Sequence, residues 1–179
     1  MNDIQTLTHR IAQADDMPAL AALMERAIAQ LQQPFLSPAQ IAASRAVMGL
    51  DSQLIADGTY FIIERGGVLA GCGGWSRRAT PYGGDASAGR DARLLDPARE
   101  PARVRAMYTD PAQVRRGVGR LILSLCEEAA AAAGFSRVQL TATLAGEPLY
   151  RAAGYGPEEA FEDKGVPLIR MGKVIEKRF

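Results

Sequence analysis

The sequence predicts a single α/β domain with a mixed central sheet and helices on both of its faces. Its 179 residues fit one compact hydrophobic core. Hydrophobic residues make up 47% and charged residues 23%, which is typical of a globular chain. Segments with strand periodicity are interspersed with segments of helical periodicity, as in proteins whose helices cover a sheet. We therefore treat residues 1–179 as one domain.

The N-terminal region is predicted to form a strand followed by an amphipathic helix. Residues 6–12 have the composition of a short strand. Asp15 can cap the next helix, and Pro18 lies in its first turn, where a missing N–H costs nothing. The helix is expected to end near Leu31, because apolar residues recur every three or four positions up to there. These residues are Leu20, Leu23, Met24, Ala27, Ile28 and Leu31.

A second helix and a β-hairpin are predicted next. Ser37, followed by proline, begins the helix, which is expected to end near Gly49. Residues 59–65 and 68–75 are rich in β-branched, aromatic and small apolar residues and flank a two-glycine turn. This pattern predicts a β-hairpin.

Residues 77–102 interrupt the regular pattern with a long irregular segment. It is too long for an ordinary connection in a compact domain, and we expect a mobile or functional loop. A lid over an acceptor site is one interpretation, and a solvated loop is the other. Its glycines and prolines are Pro81, Gly83, Gly84, Gly89, Pro97 and Pro101.

The second half of the chain alternates strands and helices. A helix should follow Pro111 and end at Gly134, a natural residue after a helix C-terminus. Val118, Leu121, Ile122, Leu125, Cys126 and Ala129 are expected on its buried face. The other predicted elements are strands at 102–110, 136–144, 155–161 and 166–175 and a short helix at 146–153.

Composition argues against several classes of function. There are 21 basic and 20 acidic residues, so nucleic acid is not an expected partner. Cys72 and Cys126 lie far apart and are interpreted as core thiols, and His9 is the only histidine, so no metal site is predicted. The first residues lack a secretory pattern, and no run of 18 apolar residues occurs. We expect a cytoplasmic protein with no membrane partner.

The turn between the strand at 102–110 and the following helix has the features of a phosphate site. Gly117 and Gly119 would let a ligand approach the backbone closely, although glycine is also used in tight turns for steric reasons alone. The first N–H groups of a helix lack carbonyl partners and attract anions. Guanidinium groups add positive charge here, from Arg115, Arg116 and Arg120.

Two other phosphate-binding motifs do not fit this turn. A dinucleotide-binding fingerprint needs a third glycine where Ile122 stands. A Walker loop needs Gly-Lys-Ser/Thr, which is missing from the sequence. An ordinary nucleotide-binding domain is therefore disfavoured.

Two segments together resemble the GNAT superfamily of N-acetyltransferases. The first reads Val-Arg-Arg-Gly-Val-Gly at 114–119, and the second reads Leu-Tyr-Arg-Ala-Ala-Gly-Tyr at 149–155. The resemblance covers 103–156 and extends to 6–76, but it gives no information on the segment 77–102. Val114 departs from the family pattern, which usually has arginine or glutamine there.

The resemblance implies a fold, a cofactor and a set of contacts. The fold would be a GNAT-like, mostly antiparallel mixed sheet, with acetyl-CoA bound where two central strands splay. Met107, Tyr108 and Thr109 would pair with the pantetheine arm through backbone groups. Thr143 stands where the family often has an asparagine that contacts the cofactor. The pyrophosphate would be held by Val114, Arg115, Arg116, Gly117, Val118, Gly119 and Arg120.

Tyr150 is the residue that the resemblance assigns to proton transfer. Amine attack on a thioester expels a thiolate, and a phenol with an ordinary pKa of about 10 stays protonated and can donate to that sulfur. The alternative is a tyrosine packed in the core. The residue that takes the proton from the amine is not identified; Glu64, Asp110 and Glu147 are candidates by position.

The sequence therefore predicts an N-acetyltransferase that moves an acetyl group from acetyl-CoA to an amine by direct attack. The amine would belong to a small molecule or a peptide, and the sequence leaves a homodimer open. The alternative is a non-catalytic acyl-CoA binding or sensing module. An acceptor site beside the long loop could be lined by Trp75, Tyr82, Arg77, Arg78, Arg90, Arg93 and Arg99, or the loop could be merely solvated.

Overall fold

Seven strands form one open, twisted sheet in the computed structural model, which describes residues 6–176. The strands are β1 (Leu7–Ile11), β2 (Tyr60–Arg65), β3 (Val68–Ser76), β4 (Ala102–Thr109), β5 (Arg137–Thr143), β6 (Gly156–Asp163) and β7 (Val166–Val174). Their order across the sheet is β1-β2-β3-β4-β5-β7-β6. The predicted hairpin and all other predicted strands are confirmed.

Five α-helices accompany the sheet. They are α1 (Met17–Leu31), α2 (Pro38–Ser44), α3 (Ser52–Ala56), α4 (Val118–Ala132) and α5 (Glu147–Ala152). One core lies under α4 and includes Ile122, Cys126 and Phe135. A second core lies under α1 and includes Leu23 and Tyr60. Helices therefore cover both faces, and the predicted mixed α/β class is confirmed. In residues 6–176 no helix is long and apolar enough to cross a bilayer.

The only parallel pairing among the described strands joins β4 to β5, and it is short. Ala102 pairs with Val138 and Arg103 with Gln139, and the pairing stops there. All other neighbours are antiparallel, and β5 pairs with β7 over seven residues. The C-terminal half of β4 therefore has no strand partner on the β5 side, and a wedge opens at the centre of the sheet.

A β-bulge in β4 lies at the edge of this wedge. Cys72 of β3 pairs with Tyr108, but Gly74 pairs with Arg105, so β4 contains one extra residue. Ala106 takes a left-handed backbone conformation at φ 51°. The Tyr60 hydroxyl donates to the Ala106 carbonyl at 2.7 Å. The bulge is thus held from β2, two strands away.

Three local predictions differ from the structure. The second helix ends at Ser44 rather than near Gly49, and α3 was not predicted. The residue before α1 is Asp16 rather than Asp15, because residues 14–16 form a short 3-10 turn. The Asp16 carboxylate makes no capping bond to α1 and accepts instead from the Gln13 N–H and from Arg10. The fully buried positions of α4 are Val118, Ile122, Leu123, Cys126 and Ala130, so its buried face is rotated from the predicted one.

The segment 77–102 is folded rather than loose. Its two halves meet in an isolated bridge between Arg78 and Leu94, and the Leu95 side chain is buried in the α4 core. Arg105 of β4 ties the segment to the sheet by donating to the carbonyls of Thr80 and Gly83. The prediction of a mobile loop finds no support in this hydrogen bonding.

Candidate active site

A groove of about 770 Å³ occupies the wedge between β4 and β5. One wall comes from the bulged end of β4 and the start of α4, and another comes from α5. The third wall is the C-terminal half of α1, which the sequence analysis had assigned only to the core. The α1 side contributes Ala27, Ile28, Leu31, Gln32 and Phe35.

The turn that precedes α4 is held rigidly at one end of the groove. Gly117 takes a left-handed conformation at φ 87°, which a side chain would strain, and Arg115 does so at φ 59°. Asp110 caps the turn by accepting from the Ala112 N–H and pairs with Arg26 of α1 at 2.8 Å. The unpaired N–H groups of the first turn of α4 are therefore presented to the groove.

Gly119 packs closely against α5 as well as lining the groove. A Cβ atom at this position would lie 2.6 Å from Cδ2 of Leu149 in α5. The missing side chain thus makes room for the packing of α5 against α4, whereas a Cβ at Gly117 would meet open space. The steric need for glycine comes from backbone conformation at one position and from helix packing at the other.

Ten of the eleven residues predicted to bind the cofactor line the groove, and their roles stay predictions. The exception is Arg116, whose guanidinium donates to Gln113 at 3.2 Å and whose carbonyl accepts from Arg65 at 2.9 Å. Arg115 and Arg120 have no carboxylate partner within residues 6–176, so their positive charge is not neutralised. The ten are Met107, Tyr108, Thr109, Val114, Arg115, Gly117, Val118, Gly119, Arg120 and Thr143.

Tyr150 lies where the groove meets a second cavity. Burial raises the pKa of its phenol to about 12, so the hydroxyl remains protonated at neutral pH. Among the described residues no group forms a hydrogen bond with this hydroxyl. Its ring packs edge-on against Tyr155 with centroids 6.1 Å apart. The side chain is thus both packed, as the alternative interpretation required, and available to a ligand.

The second cavity lies on the other side of the wedge, and we call it the acceptor cavity. It measures about 80 Å³ and is bounded by β4, β5, β7 and the folded segment 77–102. Arg105 is the only charged residue of the described chain in its lining. The cavity and the groove adjoin, because five residues line both: Met48, Met107, Tyr108, Thr143 and Tyr150.

The three acids considered as bases lie away from both cavities. Glu64 is near Arg10 at 3.9 Å, Asp110 pairs with Arg26, and Glu147 pairs with Arg151 at 2.7 Å. None of the three lines the groove or the acceptor cavity. Their side chains are occupied by structural ion pairs.

Of the residues expected around an acceptor, Tyr82 alone lines the acceptor cavity. Trp75 is buried against Phe135 in the α4 core, and Arg77 stacks over it. The other arginines make ion pairs: Arg78 with Asp57, Arg90 with Asp51, Arg93 with Glu100 and Arg99 with Asp96. The arginines of the segment therefore contact neighbouring side chains rather than line the acceptor cavity.

Gln32 is a groove residue that the sequence analysis missed. The Ser44 hydroxyl donates to the Ile41 carbonyl at 2.6 Å, so it can only accept from the Gln32 amide nitrogen, 3.2 Å away. This arrangement fixes the amide orientation and leaves the buried Gln32 Oε1 without a partner in the described chain. In the sequence, the feature that could have indicated Gln32 was a glutamine at the end of the apolar face of an amphipathic helix.

Known structures share this fold. A GCN5-related N-acetyltransferase from Rhodopseudomonas palustris is 19% identical with a TM-score of 0.69, covering 98% of this chain and 100% of that one. The PaiA N-acetyltransferase from Thermoplasma acidophilum, in complex with coenzyme A, is 11% identical with a TM-score of 0.67 and coverages of 94% and 99%. yncA from Salmonella typhimurium, with its cofactor acetyl-CoA, is 16% identical with a TM-score of 0.63 and coverages of 96% and 95%.

A family model shows which class of enzyme this fold and site represent. Residues 22–155 match the model of the acetyltransferase (GNAT) family, which is more than half of the chain. The protein belongs to the acetyltransferase (GNAT) family. It is therefore an acyltransferase, as the sequence resemblance predicted. No curated protein matches the chain.

Proposed function

We propose that this protein transfers an acetyl group from acetyl-CoA to the amine of a small molecule or peptide. The observation that carries the proposal is the junction of two cavities at Tyr150. One cavity ends at a helix N-terminus with two arginines that pair with no carboxylate of residues 6–176, and the other is small and bounded by the segment 77–102. A donor and an acceptor can thus approach Tyr150 from two adjoining cavities.

The residues of the groove suit acetyl-CoA. The start of α4, Arg115 and Arg120 would hold the pyrophosphate through N–H groups and positive charge. The unpaired edge of β4 at Met107 to Thr109 would bind the pantetheine amides as a strand binds its neighbour. Similar proteins with coenzyme A or acetyl-CoA bound support this assignment. Acetyl-CoA supplies an activated acetyl group and a thiol leaving group.

Tyr150 would act on the leaving sulfur. Its hydroxyl keeps its proton at neutral pH because burial raises its pKa to about 12. A hydrogen bond from this hydroxyl to the sulfur strengthens as negative charge develops, so it favours the transition state over the ground state. The amine attacks directly, and no acyl-enzyme is required.

The proposal is tested by measuring CoA release. The protein is incubated with acetyl-CoA and a panel of amines of differing size and charge, and free CoA is detected with a thiol-reactive dye. Release that depends on an amine, together with an acetylated product of the expected mass, supports the proposal. Tight binding of acetyl-CoA without release would instead indicate the non-catalytic sensing module. The cytoplasmic location and a homodimer stay predictions.

A further inference from the structure

Tyr82 connects the acceptor cavity to a carboxylate outside it. The tyrosine lies in the segment 77–102 and lines the cavity together with Tyr150. Its hydroxyl donates to Oδ2 of Asp163 at 2.7 Å. Asp163 is the last residue of β6 and is only partly buried, at a turn whose next two residues are exposed. The pair links the interior of the cavity to water.

Two further contacts hold this pair in place. The Tyr82 ring packs against the Phe161 ring of β6, with centroids 5.8 Å apart. The turn after Asp163 is fixed from α2, because the Gln40 amide donates to the Gly165 carbonyl at 3.1 Å. The hydroxyl and the carboxylate are therefore positioned before any substrate binds.

The hydrogen bond to Asp163 decides what the Tyr82 oxygen can offer the cavity. A phenol has one proton and two lone pairs, and here the proton is directed to the carboxylate. Toward a third group the oxygen can only accept. An incoming ammonium group carries only N–H donors, so the two are complementary. Burial, together with Asp163, raises the pKa of Tyr82 to about 12, which keeps the phenol protonated at neutral pH.

We propose that Tyr82 and Asp163 form the proton exit for the acceptor ammonium, a role that rests on the proposed acetyl transfer. An N–H bond of the ammonium breaks, its electron pair stays on nitrogen, and the proton forms an O–H bond with Tyr82. The original phenol proton passes to Asp163, which releases it to water. Tyr82 is the catalytic residue of this pair, and Asp163 acts through it.

The other ionisable groups around Tyr82 are compatible with this direction of transfer. Arg105, Tyr108 and Tyr150 share the acceptor cavity with it. The Arg105 guanidinium is paired with Asp51 at 2.7 Å, so it leaves the Tyr82 and Asp163 pair as the route for the proton. Glu162 and Lys164 flank Asp163 in the chain, and both are exposed to solvent.

The test is the pH dependence of Tyr82→Phe, measured as kcat/KM for an alkyl amine from about pH 6 to about pH 11, a range that spans a pKa like that of lysine, about 10.4. For the parent enzyme, kcat/KM should stay level as the pH falls below the pKa of the amine. The variant can use only the neutral amine, so its rate should fall about tenfold for each pH unit below that pKa. Above the pKa of the amine, kcat/KM of the variant should converge with that of the parent. Near neutral pH the loss should reach about 10²- to 10³-fold.

Three further measurements separate proton transfer from a structural role. Asp163→Asn should reproduce the altered pH profile, because an amide cannot take the proton. Tyr155→Phe removes a comparable bond to a carboxylate, from Tyr155 to Glu127 at 3.0 Å and outside both cavities, and should leave the profile in place. An aromatic amine, already neutral at the assay pH, should be acetylated nearly as fast by Tyr82→Phe as by the parent.

Two results would overturn the inference. One is a pair of parallel profiles separated by a constant factor, which would show that Tyr82 only shapes the cavity. The other is a parent profile that already follows the pKa of each amine. Failure of the proposed function would look different, since the parent itself would then release no CoA with any amine.

Discussion

At the scale of single residues, the environment of each tyrosine decides its chemistry. Tyr60 is fully buried, and its hydroxyl donates to the bulge carbonyl of Ala106, so it supports the backbone. Tyr108 accepts from the Gly49 N–H at 2.8 Å, and burial raises its pKa. Tyr150 is the phenol at the junction of the two cavities whose hydroxyl bonds to no described residue. Identical side chains thus serve structure and chemistry.

Tyr150→Phe should lower kcat by about 10²-fold, the lower end of general acid catalysis, because a CoA thiol is itself a fair leaving group. Acetyl-CoA affinity should hardly change, since the ring and its packing against Tyr155 are retained. Single-turnover rates and equilibrium binding measure the two effects separately. If the variant turned over within about twofold of the parent, Tyr150 would be a core packing residue with no role in proton transfer.

The pKa of Tyr150 also predicts the alkaline limb of the activity profile. A phenol whose pKa is raised to about 12 remains a proton donor until the pH approaches that value, so the acid should not titrate between pH 7 and about 11. We expect kcat with a weakly basic amine to be level on the alkaline side over this range. A decrease near the ordinary tyrosine pKa of about 10 that disappears in Tyr150→Phe would contradict the assigned environment.

At the scale of elements, the packing of α5 against α4 determines where Tyr150 lies. Gly119→Val should displace Leu149, because a Cβ there lies 2.6 Å from Leu149 Cδ2 and valine adds further bulk. Turnover and acetyl-CoA binding should both fall. Adding Leu149→Ala should restore part of both, as expected for neighbours that share space. If the valine instead blocked the phosphate directly, the second change would restore nothing.

The segment 77–102 depends on a buried ion pair. Arg105 and Asp51 meet at 2.7 Å with side chains only 2% and 1% exposed, and Asp51 also pairs with Arg90 of the segment. Asp51→Asn leaves two guanidinium groups without their counter-charge and should destabilise the fold by about 3 kcal/mol. The midpoint of urea unfolding should fall without a change in slope. Arg93→Ala, which breaks an exposed pair in the same segment, is the control and should hardly move the midpoint.

At the scale of the whole molecule, a ligand that binds the wedge joins both halves of the sheet. Acetyl-CoA at about 100 times its Kd should stabilise the protein by about 2.7 kcal/mol, which corresponds to about 5–10 °C in Tm for a chain of this size. NAD and ATP should give no such shift. An Arg115→Ala, Arg120→Ala double variant should lose part of the shift in a salt-dependent way. A shift that is unchanged in this variant would place the pyrophosphate elsewhere.

Local signals were sufficient to predict most of the elements from the sequence. The hairpin follows from two apolar runs around Gly66 and Gly67, and the end of α4 follows from Gly134, which takes φ 94°. The turn at 114–119 and the pair Leu149 and Tyr150 predicted a donor side, because these features depend on neighbours along the chain. The family and the mixed α/β class could therefore be predicted from the order of the residues alone.

The proposed acceptor side depends on the tertiary structure. Tyr82 and Asp163 are far apart in sequence, and no local pattern predicts their contact, which depends on the folding of the segment 77–102 over β6. Gln32 lines the groove because β4 and β5 diverge beneath α1, and Gly119 contacts Leu149 because α5 folds back on α4. Local patterns record backbone preference and burial, whereas contacts between distant segments depend on how the whole sheet is assembled.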